Sequence, residues 1–91
     1  MEETERLSES IKELLGGGRN ERLATVLEEA HPADVSRVIR ELPVEDQVRV
    51  FRLLSPQHAG AVLAELDDPV LRGLVGSLDA AEVSRALDRM P

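Results

Sequence analysis

The sequence predicts an all-α fold, a right-handed superhelix (α-solenoid) of about seven short helices in 12-residue units. Two observations predict this fold: apolar residues recur with a 12-residue period, and prolines fall near the start of the units. From residue 31 the units read HPADVSRVIREL, PVEDQVRVFRLL, SPQHAGAVLAEL, DDPVLRGLVGSL and DAAEVSRALDRM, and the same register fits residues 19–30 and 7–18. A fixed period that runs through a chain is typical of repeat proteins.

Within each unit, the apolar residues have helical spacing. They occupy positions 5, 8, 9 and 12, which are i, i+3, i+4 and i+7 and therefore lie on one face of an α-helix. In the unit 31–42 these residues are Val35, Val38, Ile39 and Leu42. At position 5 of the next unit, Gln47 is the exception. A continuous helix would rotate this face by about 120° per unit, so the helix has to break between units.

The first unit, residues 7–18, ends in three consecutive glycines. Glycine readily adopts the left-handed conformation that ends many helices, and a glycine triplet also makes a flexible joint. We therefore divide the single domain into a lead helix with a glycine hinge, residues 1–18, and a helical superhelix, residues 19–91. The lead helix is expected to be the most loosely held element.

The later units begin with residues that favour helix starts. Their prolines, at positions 1 to 3 of a unit, are Pro32, Pro43, Pro56 and Pro69. Proline suits the first helical turn and disfavours helix in the residue before it. Ser55 and Asp68, each before a proline, are predicted N-caps, and His31 is predicted to be a capping or turn residue. Asp79 followed by Glu82 indicates a capping box. Each helix would span about nine residues, roughly 13 Å, and helices so short persist only by stacking on one another.

The composition argues against several classes of function. The 91 residues carry 18 acidic and 11 basic side chains, a net charge of −7, which disfavours binding to nucleic acids and to anionic membrane surfaces. No apolar run approaches the roughly 20 residues that cross a bilayer, so no direct membrane insertion is expected. The sequence has no cysteine and therefore no disulfide or thiolate site. Most arginines are expected to face solvent, some in ion pairs with a spacing of four residues, such as Glu45 with Arg49.

No segment of the sequence predicts catalysis or cofactor binding, and we expect that the protein is not an enzyme. The stretch GGGRN, residues 16–20, lacks the spacing of a phosphate-binding loop. His31 and His58 have no partner one helical turn away that would complete a metal-binding face. Ser55 and His58 with a nearby Asp lack the cleft and the oxyanion hole that a catalytic triad requires.

Acidic residues cluster at the predicted turns and are the one chemically suggestive feature of the sequence. They lie at three turns: Glu65 with Asp67 and Asp68, Glu45 with Asp46, and Asp79 with Glu82. Mg²⁺ keeps most of its waters and is often held by one or two carboxylates, so such a turn could supply half of a site that a partner completes. Glu65, Asp67 and Asp68 are the candidate metal ligands. The alternative is that these carboxylates only complement the N-terminal ends of the helix dipoles.

The stretches LEEAHPADVS, LPVEDQVRVFRLL and AVLAEL give the chain a family resemblance. From about Arg22 to Pro91, the chain resembles the N-terminal cytoplasmic domain of MgtE-type magnesium transporters and channels. The resemblance implies a superhelix of short helices on the cytoplasmic side of the cell membrane, followed by a pair of CBS domains, a connecting helix and a transmembrane pore. It also implies that the full-length protein is a homodimer.

The resemblance further implies a regulatory role for magnesium. In that family, Mg²⁺ binds between acidic faces of the helical domain and a CBS domain and holds the cytoplasmic part compact, which closes the pore. When Mg²⁺ is scarce, the carboxylates repel one another and the helical domain swings free. The alternative function is a stand-alone helical module for protein–protein interaction, similar to those of flagellar motor switch proteins or fused to other small domains, with no role for an ion.

Overall fold

Seven α-helices make up most of residues 2–90, the part of the chain that the computed structural model describes, with side chains described for residues 5–90. Their bounds are α1 (Glu2–Gly17), α2 (Asn20–Glu29), α3 (Pro32–Glu41), α4 (Val44–Leu53), α5 (Pro56–Glu65), α6 (Asp68–Gly76) and α7 (Ala80–Asp88). No strand occurs within residues 2–90. The prediction of an all-α fold of about seven short helices is therefore confirmed.

A repeated turn explains the 12-residue period. After each of α2, α3, α4 and α5, the twelfth residue of the unit is extended, with ψ between 144° and 151°. Its N–H still bonds to the carbonyl oxygen three residues earlier, as in the 3.0 Å bond from Leu42 to Ile39. Because the same turn follows helices of the same length, ten residues in each of these four, successive helices are placed at regular intervals.

The lead helix α1 differs from the predicted length of about nine residues, since it has 16. Gly16 and Gly17 continue the helix, and the chain turns at Gly18, whose φ of +68° lies in the left-handed region that favours glycine. Ile11 and Leu15 are buried in the core, and α1 packs against α2 and α3. Gly18 thus ends the helix as predicted, whereas the division into residues 1–18 and 19–91 stays a prediction.

Side chains cap three of the helices where the sequence predicts caps. The His31 Nδ1 atom accepts a 3.1 Å bond from the Ala33 N–H at the start of α3, and Ser55 Oγ accepts from the His58 N–H at the start of α5. Asp79 and Glu82 form the predicted capping box of α7. The prediction for α6 was wrong by one residue: the N-cap is Asp67 and not Asp68, because the Asp67 carbonyl accepts the first helical bond, from the Leu71 N–H.

The helices form two layers that alternate along the chain. The odd-numbered helices pack in the order α1, α3, α5, α7, and the even-numbered helices pack in the order α2, α4, α6. Contacts of α1 with α2 and of α3 with α4 join the two layers. From α3 onward, each helix therefore packs mainly against helices two units away, which is the stacking that such short helices require.

The core consists of the positions that the repeat predicts. The largest fully buried side chains are Ile11, Leu23, Leu27, Val35, Val38, Ile39, Val50, Val62, Leu63 and Leu74. All of them occupy positions 5, 8 or 9 of a unit. The twelfth position is less uniform, because Leu42 and Leu54 are buried but Leu66 is only partly buried at the edge of the core.

Gln47, the polar residue at position 5 of α4, is buried with its amide group satisfied. Its Nε2 atom donates to the carbonyl oxygens of Ile39, at 2.8 Å, and Leu42, at 3.1 Å. The Ile39 carbonyl also accepts from the Leu42 N–H, so Gln47 gives it a second bond, and Gln47 supplies a donor to the Leu42 carbonyl at the end of α3. The exception in the apolar pattern therefore links the start of α4 to the end of α3.

Candidate functional site

The acidic turn, which we define as Glu65, Asp67 and Asp68, connects α5 to α6. Glu65 is the last residue of α5, Asp67 is the N-cap of α6, and Asp68 is the first residue of α6. All three residues are exposed. The free N–H groups at the start of a helix favour negative charge there, which helps to explain Asp67 and Asp68. The structure thus brings the three predicted ligands together on one turn at the surface.

Only one of the three carboxylates of the acidic turn is engaged within the described part of the protein. The Asp67 Oδ2 atom lies 3.8 Å from Nη1 of Arg40 in α3, and both side chains are about half exposed. Within residues 5–90, Glu65 and Asp68 form neither a hydrogen bond nor an ion pair through their side chains. Two carboxylates therefore remain available to an external ligand.

The acidic turn does not form a complete metal site. Among the residues that the structure describes, no three His, Asp or Glu side chains converge closely enough to hold a metal ion. What the turn can offer is one or two exposed carboxylates, the share that a hydrated Mg²⁺ ion commonly takes from a single protein surface. The assignment of Glu65, Asp67 and Asp68 as magnesium ligands stays a prediction.

The second acidic turn, at the start of α4, is partly neutralised by an arginine. Arg49 Nη1 lies 3.8 Å from Asp46 Oδ1, whereas the sequence had predicted Glu45 as its partner. Residues three apart on a helix share a face as residues four apart do, so Asp46 competes with Glu45 for the same guanidinium.

The third acidic turn, at the start of α7, holds its carboxylate most firmly. Arg52 of α4 donates from Nε to Glu82 Oε2 at 2.9 Å and from Nη2 to Glu82 Oε1 at 3.2 Å. The Asp79 N–H donates to the same carboxylate at 3.3 Å. The bond from Arg52, followed by that from the Asp79 backbone, lowers the pKa of Glu82 from 4.5 to about 2. This carboxylate is committed to the fold and is a poor candidate for a metal ligand.

The two histidines and Ser55 have structural roles. Ser55 Oγ accepts from the His58 backbone N–H, and the His58 ring instead places Nε2 3.0 Å from the Ala30 carbonyl oxygen. Glu28 accepts a 2.8 Å bond from the Ser55 N–H, which is the main reason that the pKa of Glu28 is lowered. The ring and the hydroxyl are thus not paired as nucleophile and base, and the cluster joins the end of α2 to the start of α5.

Sequence reasoning missed the residues that decide which carboxylates are available. Arg40 and Asp67 belong to units that are not adjacent, as do Arg52 and Glu82, so neither pair has a helical spacing. One signal exists in the register, because both arginines occupy position 10 of their units. Position 10 projects from the solvent side of a helix, but the sequence does not show which later turn it reaches.

None of the helices within residues 2–90 combines the length and the apolar character that crossing a membrane requires. A family model described as the MgtE intracellular N domain matches residues 30–91, a range that includes α3 to α7 and the acidic turn. Searches of curated proteins and of solved structures returned no match. The family match spans well over half of the chain and agrees with the resemblance seen in the sequence. The chain therefore belongs to the family of MgtE intracellular N domains, a family of magnesium transporter domains.

Proposed function

We propose that this chain is the cytoplasmic regulatory domain of an MgtE-type magnesium transporter and that it senses intracellular Mg²⁺. The observation that carries the proposal is the family match over residues 30–91. The acidic turn supplies one side of the ion site, and a CBS domain of the same transporter supplies the other side. The function is regulatory and involves no catalysis.

The charges around the acidic turn support a shared site. Glu65 and Asp68 are exposed and have no side-chain partner within residues 5–90, while Arg40 takes up part of the charge of Asp67. A surface with two uncommitted carboxylates repels another acidic surface unless a cation lies between them. Mg²⁺ suits this position because it can bind carboxylates from both sides and still keep several waters.

Ion binding in such a site changes the arrangement of the domains through differential affinity. Mg²⁺ binds the compact arrangement, where both acidic surfaces contribute, more tightly than the open one. A ligand shifts a two-state equilibrium only by this difference in affinity, and a difference of about 10⁴-fold converts a 1:99 population into 99:1. If several ions bind at one interface, each ion needs to supply only part of this difference in affinity. Closure of the pore at high Mg²⁺ then follows from the compact state.

The test compares residues 1–91 alone with the same residues joined to the downstream sequence of the gene. The proposal expects that sequence to encode CBS domains and hydrophobic spans of about 20 residues. Alone, the domain should bind Mg²⁺ in the millimolar range or more weakly, worth no more than about 4 kcal/mol at standard state. The longer chain should become clearly more resistant to proteolysis when Mg²⁺ is added at constant ionic strength, because the ion stabilises the state that binds it.

Matched variants connect this response to the acidic turn. The double substitution Glu65→Gln and Asp68→Asn in the longer chain should raise the Mg²⁺ concentration that gives half-maximal protection. Glu21→Gln, an exposed carboxylate in the first turn of α2, should leave that concentration unchanged. Tight stoichiometric binding by residues 1–91 would contradict a shared site. Absence of any Mg²⁺ response in the longer chain would favour the alternative, a module for protein–protein interaction.

A further inference from the structure

A groove of about 240 Å³ lies between the end of α4, the start of α5 and one side of α7. Four buried apolar residues of its lining are Phe51, Leu54, Ala59 and Ala86. The charged residues of its lining are Arg52, Glu82 and Arg85. At roughly 30 Å³ per water, this volume equals about eight waters, so the groove suits a small molecule of about ten non-hydrogen atoms.

The equivalent place two units earlier in the chain holds a histidine ring. His58 occupies position 4 of its unit, as Glu82 does, and each contacts the residue at position 10 of the helix three units before it. Thus His58 Nδ1 lies 3.9 Å from Glu28 Oε2, and Glu82 pairs with Arg52. The His58 ring also places Nε2 3.0 Å from the carbonyl oxygen of Ala30, at position 12. A ring nitrogen and a carbonyl at the end of a unit therefore meet in this earlier place.

The corresponding carbonyl in the groove, that of Leu54, has no such partner. Glu82 is a carboxylate at neutral pH, and a carboxylate only accepts hydrogen bonds, so Glu82 cannot replace the ring of His58. It accepts from Arg52 and from the Asp79 N–H instead. Within residues 5–90, no donor bonds to the Leu54 carbonyl oxygen. The groove thus offers an acceptor at the place where the earlier unit uses a ring nitrogen.

Arg85 gives the groove a positive charge that no carboxylate in the described part of the chain compensates. Arg52 directs Nε and Nη2 to Glu82, which neutralises that guanidinium. Arg85 is exposed, and within residues 5–90 its side chain forms neither a hydrogen bond nor an ion pair. A free guanidinium binds carboxylates well, because its parallel N–H groups match the two oxygens. The charge of the groove therefore favours an anion.

We propose that the groove is a binding site for a small planar heterocycle that carries both a ring N–H and a carboxylate. The ring N–H donates to the Leu54 carbonyl, as the His58 ring does to Ala30, and the carboxylate pairs with Arg85. The apolar lining covers the rest of the ring and includes Phe51, the single aromatic residue among the Phe, Tyr and Trp positions of the chain. The inference does not depend on the proposed role of Mg²⁺.

Three probes of similar size separate the contributions of the two groups. Imidazole-4-acetate has both the N–H and the carboxylate, imidazole has only the N–H, and phenylacetate has only the carboxylate. Each is titrated into residues 1–91 at about pH 8, where an imidazole ring is mainly neutral, and binding is followed by amide NMR shifts. Imidazole should bind at least about tenfold more weakly than imidazole-4-acetate, because it lacks the charged pair, and phenylacetate about three- to tenfold more weakly. The shifts should concentrate in residues 51–59 and 82–86.

Two arginine variants test the assignment of the carboxylate. Arg85→Gln should weaken imidazole-4-acetate to about the affinity of imidazole and leave imidazole itself unchanged. Because Arg85 is exposed, the melting temperature should stay that of the parent. Arg72→Gln, which removes another exposed arginine without a partner in residues 5–90, should change no affinity. Equal binding of the three probes, shifts spread over the exposed arginines, absence of saturable binding, or an Arg85→Gln variant that binds like the parent would each overturn the proposal.

Discussion

At the scale of single residues, the arginines divide the carboxylates of the protein into two groups. Glu82 is held by Arg52 with two hydrogen bonds, and its side chain is only 15% exposed. Glu65 and Asp68 are exposed and have no side-chain partner within residues 5–90. The first group stabilises contacts between helices, whereas the second retains its capacity to bind an external cation. Clusters of acidic residues that look alike in the sequence therefore have different physical roles.

The first prediction at this scale concerns the pH dependence of the Glu82 contact. The pKa of Glu82 is lowered from 4.5 to about 2, so the ionised group stabilises the fold above its unfolded-state pKa, and this contribution is lost as the pH falls towards 2. The melting temperature of Glu82→Gln should therefore lie below that of the parent above about pH 5, and the two should converge at about pH 2. Thermal melts followed by circular dichroism at stepped pH measure this.

The control for this prediction is Glu45→Gln, which also removes one carboxylate from the start of a helix, in this case α4. The melting temperatures of the parent and of Glu45→Gln should not converge in the same way as the pH falls. A gap between parent and Glu82→Gln that stays constant from neutral to strongly acidic pH would mean that the glutamine loses packing and not a charged hydrogen bond.

At the scale of helices, the α7 C-terminus approaches α5 so closely that no side chain fits between them. The Cβ atom of an alanine at position 60 would lie 2.7 Å from both the carbonyl carbon and the carbonyl oxygen of Arg89. These are backbone atoms, which cannot move aside as the end of a flexible side chain can. Glycine at position 60 is therefore required by the packing of two helices and not by the conformation of its own backbone.

Gly60→Ala should accordingly destabilise the protein by about 1–3 kcal/mol, the usual cost of forcing an extra carbon into a packed interface. Alanine is more favourable than glycine inside a helix by about 1 kcal/mol, and the measured change in unfolding free energy includes this opposing gain. Gly73→Ala in α6 is the matched control, because no atom beyond its chain neighbours and the nearby backbone of its own helix lies within 4 Å of its Cβ position, and it should be neutral or slightly stabilising. Urea unfolding of both variants gives the comparison. Equal effects of the two substitutions would show that α7 shifts freely on α5.

The lead helix gives a second prediction at this scale. It packs against α2 and α3 at one end of the stack and joins α2 through Gly18. Amide hydrogens up to about Leu15 should therefore exchange faster than those of residues 33–87, as end elements open more readily than central ones. Hydrogen exchange followed by mass spectrometry or NMR measures the difference. Equal protection throughout would show that α1 is held as firmly as the central helices.

At the scale of the whole molecule, the fold follows from features that are local in sequence. Apolar spacing within a unit, prolines at the unit starts and small polar caps each act over a few residues, so they predict the number of helices and most of the core. The end of α1 was harder, because two glycines, residues that break many helices, continue this one. The N-cap of α6 also differed from the prediction. Asp67 and Asp68 carry the same side chain, so the sequence does not distinguish them, and the position of the first helical hydrogen bond decides which one is the cap.

The candidate site was less accessible to sequence reasoning. The position of Glu65, Asp67 and Asp68 on one turn follows from the register, and the structure places them there. Which of them is engaged depends on Arg40, and the commitment of Glu82 depends on Arg52, both from helices several units earlier. Such contacts depend on the angle between successive helices, which the spacing of residues in the sequence does not specify.

The alternation of layers constrains how the gene for this domain can change in length. Loss or duplication of a single internal unit would move every later helix into the opposite layer and change the partners of the helices on either side of the altered position. Loss or duplication of two consecutive units would return each later helix to its own layer and preserve the pairing of even with even and odd with odd. Internal insertions and deletions between extended turns therefore keep each later helix in its own layer only when they contain an even number of units, that is, whole helix pairs.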